Sequence, residues 1–131
     1  MVIPNFVRQA LTGEPLTVYG TGEQTRSFAD VTDVVSAFLS LLNEPKAIGD
    51  IFNIGNPEEV SILQLAKHVI DLTGSTSSIL TVPYEEAYES GFEDMPRRVP
   101  DISKINTLTG WSPTLSLADI LNRVVTHMKT V

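Results

Sequence analysis

Leu16-Thr17-Val18-Tyr19-Gly20-Thr21-Gly22-Glu23-Gln24-Thr25-Arg26-Ser27-Phe28 is the stretch on which the fold turns. Leu16 to Tyr19 is rich in β-prone residues and predicts a short strand. Gly20-Thr21-Gly22 follows, two glycines in a three-residue run, and predicts a tight reversal with positive φ. Arg26 comes next, one of only nine Lys and Arg side chains, between the hydroxyls of Thr25 and Ser27. A guanidinium with small hydroxyls beside a glycine turn suits an anionic group. The plainer alternative is a surface hairpin carrying a solvated arginine.

Outward from this stretch the chain alternates helices with short strands. Upstream, Val2, Phe6, Val7, Ala10 and Leu11 fall at helical spacing, Pro4 sits near the start where its missing N–H is harmless, and Thr12-Gly13 supplies the stop. No capping residue precedes Met1, and so abrupt a helix start implies a chain cut from something longer. Downstream, Asp30 caps a predicted helix with an apolar face of Val31, Val34, Val35, Phe38, Leu39 and Leu42, broad enough to expect cover on more than one side; Asn43-Glu44-Pro45 ends it.

Asp50 to Gly55 reads as a buried strand leaving through Gly55-Asn56-Pro57. Ser61-Ile62-Leu63-Gln64 is a capping box, and the helix behind it carries Leu65, Ala66, Val69 and Ile70 before Gly74. Ile79 to Pro83 predicts another strand, and the acidic stretch from Tyr84 to Met95 reads as loop. Pro100-Asp101 starts a short helix with Ile102, Ile105 and Leu108 inward and Gly110 as stop. Trp111 then acts as a helix-end anchor. From Ser116 a last helix presents Leu117, Ile120, Leu121, Val124, Val125 and Met128 on one face. The fold class is α/β in the mixed α+β sense, helices with a few short strands and no complete doubly wound sheet.

The 131 residues predict a single domain, 1–131, with an ordinary soluble composition. The net charge is −7, with acids gathered at Glu85, Glu86, Glu89, Glu93 and Asp94. That argues against nucleic acid as a partner, and an anionic ligand must be met by local arginines. Cysteine is absent, which removes disulfides, thiolate metal sites and a cysteine nucleophile. No apolar run reaches the roughly 18 residues of a membrane span, and the N-terminus lacks signal-peptide features, so a cytoplasmic location is the expectation. His68 and His127 lie mid-helix without a second ligand at metal spacing, and no metal site is expected.

Gly13 to Gly20 and Gln24-Thr25-Arg26-Ser27-Phe28 resemble the sugar-nucleotide epimerase, dehydratase and decarboxylase branch of the extended short-chain dehydrogenases. Val2 to Leu11, Phe52-Asn53-Ile54-Gly55-Asn56, Arg97-Arg98-Val99-Pro100-Asp101 and Gly110-Trp111-Ser112-Pro113 extend the likeness along nearly the whole chain. It is to the C-terminal, substrate-binding part of that family, closest in pattern to UDP-glucuronate decarboxylase-like members.

Two features of the complete enzymes are absent from this sequence. The dinucleotide fingerprint needs glycines between a strand and a helix; here the third glycine position is Thr25 and no helix opens there. Such enzymes also carry a catalytic Tyr with a Lys four residues on, but Glu23, Tyr88 and Phe92 stand four beyond Tyr19, Tyr84 and Tyr88. The expectation is therefore a chain inactive alone that binds no cofactor itself, NAD belonging to the complete enzyme.

The resemblance implies a substrate site for a UDP-sugar or related nucleotide sugar. Arg26 matches the arginine that approaches the diphosphate or ribose, Arg98 matches a second one that in decarboxylating members also handles the sugar carboxylate, and Arg97 matches a further basic position. Asn5 and Phe6 fall in the stretch lining the uracil pocket, and Tyr19 matches its aromatic wall. Asp30 stands where an aromatic or His is usual. The region of Tyr84 and Tyr88 matches a flap over the sugar. On residues alone, Tyr19 equally suits packing on a helix, and Arg97 and Arg98 equally suit ion pairs with Glu93 and Asp94.

The resemblance also implies that the helix near Val34 and the strand near Phe52 pack on a Rossmann half, exposing an apolar patch in its absence. The expected partner is that N-terminal half or a second copy of the chain. The alternative function is a non-catalytic binding or dimerisation module that keeps the fold.

Overall fold

The computed structural model describes residues 1–83 and 95–130, and the acidic loop with Tyr84 and Tyr88 lies outside them. Five α-helices are present among the described residues: α1 (Val2–Thr12), α2 (Val31–Leu42), α3 (Ile62–Thr73), α4 (Ser103–Thr109) and α5 (Leu117–Thr130). The strands are β1 (Leu16–Tyr19), β2 (Thr25–Ser27), β3 (Glu59–Ser61), β4 (Ile79–Val82) and β5 (Arg97–Arg98). A short 3-10 turn, Pro45–Ala47, follows α2. The mixed α/β class is as the sequence implies.

Two compact units share the chain. The first comprises Met1–Arg26, Val60–Arg97 and Leu121–Val131; the second comprises Ser27–Glu59 and Arg98–Ile120.

In the first unit β1 pairs with β4 in parallel, Leu16 opposite Ile79 and Tyr19 opposite Val82. The hairpin weighed as the plainer alternative is therefore absent: β1 finds its partner far along the chain, and β2 belongs to another sheet, of order β3-β2-β5. Helices α1 and α3 pack on each other and on β1. Phe6, Val7, Leu16, Val18, Leu65 and Val69 are almost wholly buried there, each removing enough apolar surface from water to contribute roughly 1.5–3 kcal/mol. Gln9 is the buried polar member. Its Oε1 accepts from the Thr17 N–H at 3.3 Å and its Nε2 donates to Thr17 Oγ1 at 3.1 Å, fastening α1 to β1.

The ends of α3 follow the sequence reading. Ser61 Oγ accepts from the Gln64 N–H and Gln64 Oε1 accepts from the Ser61 N–H, a complete capping box. Gly74 closes the helix at φ 65°, the left-handed conformation that glycine adopts without strain.

The second unit is built around Ala37, Ile105 and Trp111, with Leu41, Phe52, Ile54 and Ile102 packed against them. Trp111 is the anchor expected: its Nε1–H donates to Ser36 Oγ at 2.8 Å. Asp30 caps α2 as read, accepting from the Thr32 N–H at 2.8 Å. Helix α4 begins one residue later than expected, and Asp101 Oδ1 accepts from the Ser103 N–H. The Ser103 hydroxyl first, and then that backbone bond, hold the Asp101 carboxyl below the usual range.

Two expectations are corrected. Residues 50–55 form no strand: they make no ladder with any of the described residues, and a strand is defined by its ladder. The alternation survives, with Phe52 and Ile54 inward and Ile51 83% exposed. The stretch is held instead by Lys104, whose Nζ donates to Asp50 Oδ1 and to the Ile51 carbonyl and lies 4.9 Å from the Phe52 ring centre. Nor is the apolar face of α2 covered on several sides. Its buried residues are Asp33 and Ala37, while Val31, Val35, Phe38, Leu39 and Leu42 are 50–80% exposed.

Candidate functional site

The glycine turn is shaped by packing. Gly20 and Gly22 have φ of 66° and 76°, as the sequence requires. A Cβ on Gly22 would lie 2.7 Å from Val18 Cγ1 and 3.1 Å from Leu63 Cβ, so glycine is needed for close approach as well as for conformation. The Gly22 carbonyl accepts from the Leu63 N–H at 2.9 Å and the Gln24 carbonyl from the Ile62 N–H at 3.1 Å. The turn thus plugs the start of α3, whose first amides are the groups a phosphate would need. It leads into β2 and no helix, so these residues do not fit a dinucleotide.

Beyond the turn, Gln24 Nε2 donates to the Tyr19 carbonyl at 2.9 Å, and the Thr25 N–H donates to the Pro96 carbonyl at 2.8 Å. Arg26 Nη1 donates to the Thr25 carbonyl at 2.6 Å and to the Met95 carbonyl at 2.8 Å. Strand β5 runs beside β2, which brings Arg97 to the strand neighbouring Arg26. Arg26 is half-buried and Arg97 exposed. Arg98 is the next residue, also exposed, and belongs to the second unit.

The remaining predicted site residues fall in the first unit. Tyr19 ends β1 and is 39% exposed. Asn5 is exposed on α1. Phe6 on the same turn is 2% exposed, so its ring belongs to the core and Asn5 is the residue of this pair that reaches solvent. The Glu93 and Asp94 partners weighed for Arg97 and Arg98, and the candidate flap residues Tyr84 and Tyr88, lie outside the described residues. His68 and His127 are exposed on α3 and α5. Among the described residues no three His, Cys, Asp or Glu side chains are grouped to hold a metal, and no helix is long and apolar enough to cross a membrane.

Sequence reasoning passed over two sets of supporting groups. Gln24 stands in the quoted motif, but its bond to the Tyr19 carbonyl depends on the curve of the turn. In the second unit Asp33 is 4% exposed. Burial opposes its ionisation, but hydrogen bonds from Thr114 Oγ1, the Leu115 N–H and the Thr114 N–H prevail and hold its carboxyl below the usual range. An Asp inside a predicted apolar helix is the signal the sequence offers.

A chain with helices on a parallel strand pair and a few further short strands has the mixed α/β fold of its neighbours among the extended short-chain dehydrogenases. Residues 1–55 match the NAD dependent epimerase/dehydratase family. Over 130 residues the chain is 40% identical to UDP-N-acetyl-alpha-D-glucosaminuronate decarboxylase of Bacillus cytotoxicus, covering 99% of this chain and 40% of that protein. It is 42% identical to UDP-glucuronic acid decarboxylase 1 of Danio rerio over 126 residues, 96% of this chain and 28% of that one. The solved UDP-glucuronic acid 4-epimerase of Bacillus cereus, in complex with UDP-glucuronic acid and NAD, superposes with a TM-score of 0.87 at 30% identity; the match spans 99% of this chain and 40% of that one.

Over nearly its whole length the chain is similar to enzymes of the NAD dependent epimerase/dehydratase kind, and it corresponds to the C-terminal part of these relatives. It spans well under half the length of each of them.

Proposed function

We propose that this chain is the nucleotide-sugar-binding portion of an NAD-dependent epimerase, dehydratase or decarboxylase acting on a UDP-sugar. On this reading the cofactor site and the Tyr–Lys pair lie on a part of the protein outside these residues. The observation that carries it is the placing of Arg26 and Arg97 on the neighbouring strands β2 and β5 in a chain of net charge −7. Guanidinium groups gathered against the prevailing charge meet a diphosphate of about two negative charges. Arg98 continues the basic run, Tyr19 offers a face to the base, and Asn5 offers an amide.

The decarboxylase names among the relatives favour a sugar acid as substrate. Arg98 would then hold the sugar carboxylate as well as binding nucleotide. In the complete protein NAD supplies the oxidation of the sugar ring that makes the later bond change possible. The residues described here bind and orient.

Thermal-shift and NMR titrations with UDP, UDP-glucuronic acid and dTDP test this. Ligand at about 100 times its dissociation constant stabilises the fold by roughly 2.7 kcal/mol. The expected result is a shift with UDP compounds that Arg98→Ala abolishes. No response from a well-folded sample overturns independent nucleotide binding.

The exposed apolar residues of α2 favour a second reading, a module that dimerises through that face and needs no nucleotide. A concentration-dependent dimer that ignores UDP would support it.

A further inference from the structure

Gly55 stands where a side chain has no room. A Cβ at this position would lie 2.7 Å from Pro100 Cγ and 3.3 Å from Pro100 Cβ. Gly55 is buried and Pro100 half-buried. A long side chain can swing away from so close an approach. A proline ring is closed onto its own backbone, so moving the ring moves the chain. The approach ends a series within the second unit. Lys104 Nζ donates to Asp50 Oδ1 and the Ile51 carbonyl, Asn53 Nδ2 donates to the Asp101 carbonyl at 3.3 Å, and Gly55 meets Pro100. Residues 50–55 and 100–104 therefore lie side by side in opposite senses. Pro100 is two residues beyond Arg98.

We propose that Gly55 is a positioning residue: it seats the Pro100 ring, and through that ring it sets the place from which Arg98 meets a sugar carboxylate. Val99 is the link. The residue before a proline is kept out of the helical region, so a displaced Pro100 carries Val99 and Arg98 with it. The functional half of this rests on the role given to Arg98 above.

The test uses Gly55→Ala in the whole chain, with NMR of the Arg98 amide and guanidinium before any ligand is added. Titrations with UDP-glucuronic acid and with UDP-glucose, which lacks the carboxylate, follow. Positioning predicts that Gly55→Ala moves the Arg98 resonances. The parent is expected to bind the acid roughly tenfold more tightly than UDP-glucose, the scale of one charge-assisted hydrogen bond, and Gly55→Ala should bring that ratio to within about twofold of one. A merely structural role would lower the Tm and leave the ratio as it was.

Unmoved Arg98 resonances, or an unchanged ratio, overturn the proposal. Equal affinity of the parent for the two compounds overturns the presentation to a carboxylate. Should the parent bind neither compound, the nucleotide reading fails, and the ligand-free Arg98 resonances alone decide whether Gly55 places Arg98. Should Gly55→Ala not fold, Pro100→Ala takes its place. It withdraws the ring from the other side and frees Val99, so Arg98 resonances that stay in place there are equally fatal.

Discussion

At Asp33 a carboxylate sits inside the second unit with three hydrogen bonds, from the backbone and hydroxyl of Thr114 and the backbone of Leu115. Because its folded pKa is depressed, its contribution is present above the ordinary aspartate range and fades as pH falls through the lowered value. Asp33→Asn should cost about 2 kcal/mol near neutral pH, since one charge-assisted acceptor is lost and an amide brings donors where donors already converge. The gap between variant and parent should narrow below about pH 4, as the parent carboxylate is protonated. Urea melts across pH 3 to 7 would check both; a gap independent of pH would count against the ionised acceptor. Gly22→Ala belongs to the same scale. Its new methyl meets Val18 and Leu63 at positive φ, and overpacking of this kind costs about 1–3 kcal/mol. The measurement is again a urea midpoint.

Helix α3 and strand β1 differ in how much of them the sequence could carry. Helix α3 has a capping box at one end, a glycine at the other and an apolar stripe between, all local signals, and the structure has each of them. Ser61→Ala should therefore destabilise by about 1 kcal/mol, seen as a lower Tm with unchanged helix content at low temperature. Strand β1 was legible as a strand but its partner was not. A turn after it invited a hairpin, yet the pairing goes to β4, and no local rule reaches so far along the chain. The strand at 50–55 failed for the converse reason, since its side-chain pattern is present and its ladder is not. In the candidate site, Arg26, Arg97 and Tyr19 were legible as residue types in a motif. The carbonyls of Met95 and Pro96 were not, because backbone acceptors leave no trace in a sequence.

For the whole molecule the conspicuous surface is the outer face of α2, where Val31, Val35, Phe38, Leu39 and Leu42 stand exposed with Ile48 and Ile51 beyond them. The breadth of that stripe was readable, but what it faces was not, since a pattern specifies that a face is apolar and says nothing of what meets it. Phe38→Glu with Leu42→Lys should leave the unfolding free energy within about 0.5 kcal/mol, as for other exposed sites. The same pair should lower any self-association seen by sedimentation velocity. A loss of several kcal/mol would mean that the face is packed within this chain after all.

The interleaving of the two units carries a consequence for biosynthesis. The chain passes between them at Arg26–Ser27, Glu59–Val60, Arg97–Arg98 and Ile120–Leu121. A ribosome therefore starts the first unit before the second, yet by Ile120 it has delivered every residue of the second unit while the first still awaits Leu121 and Val125. Of these two units, the one begun first is the last to be completed.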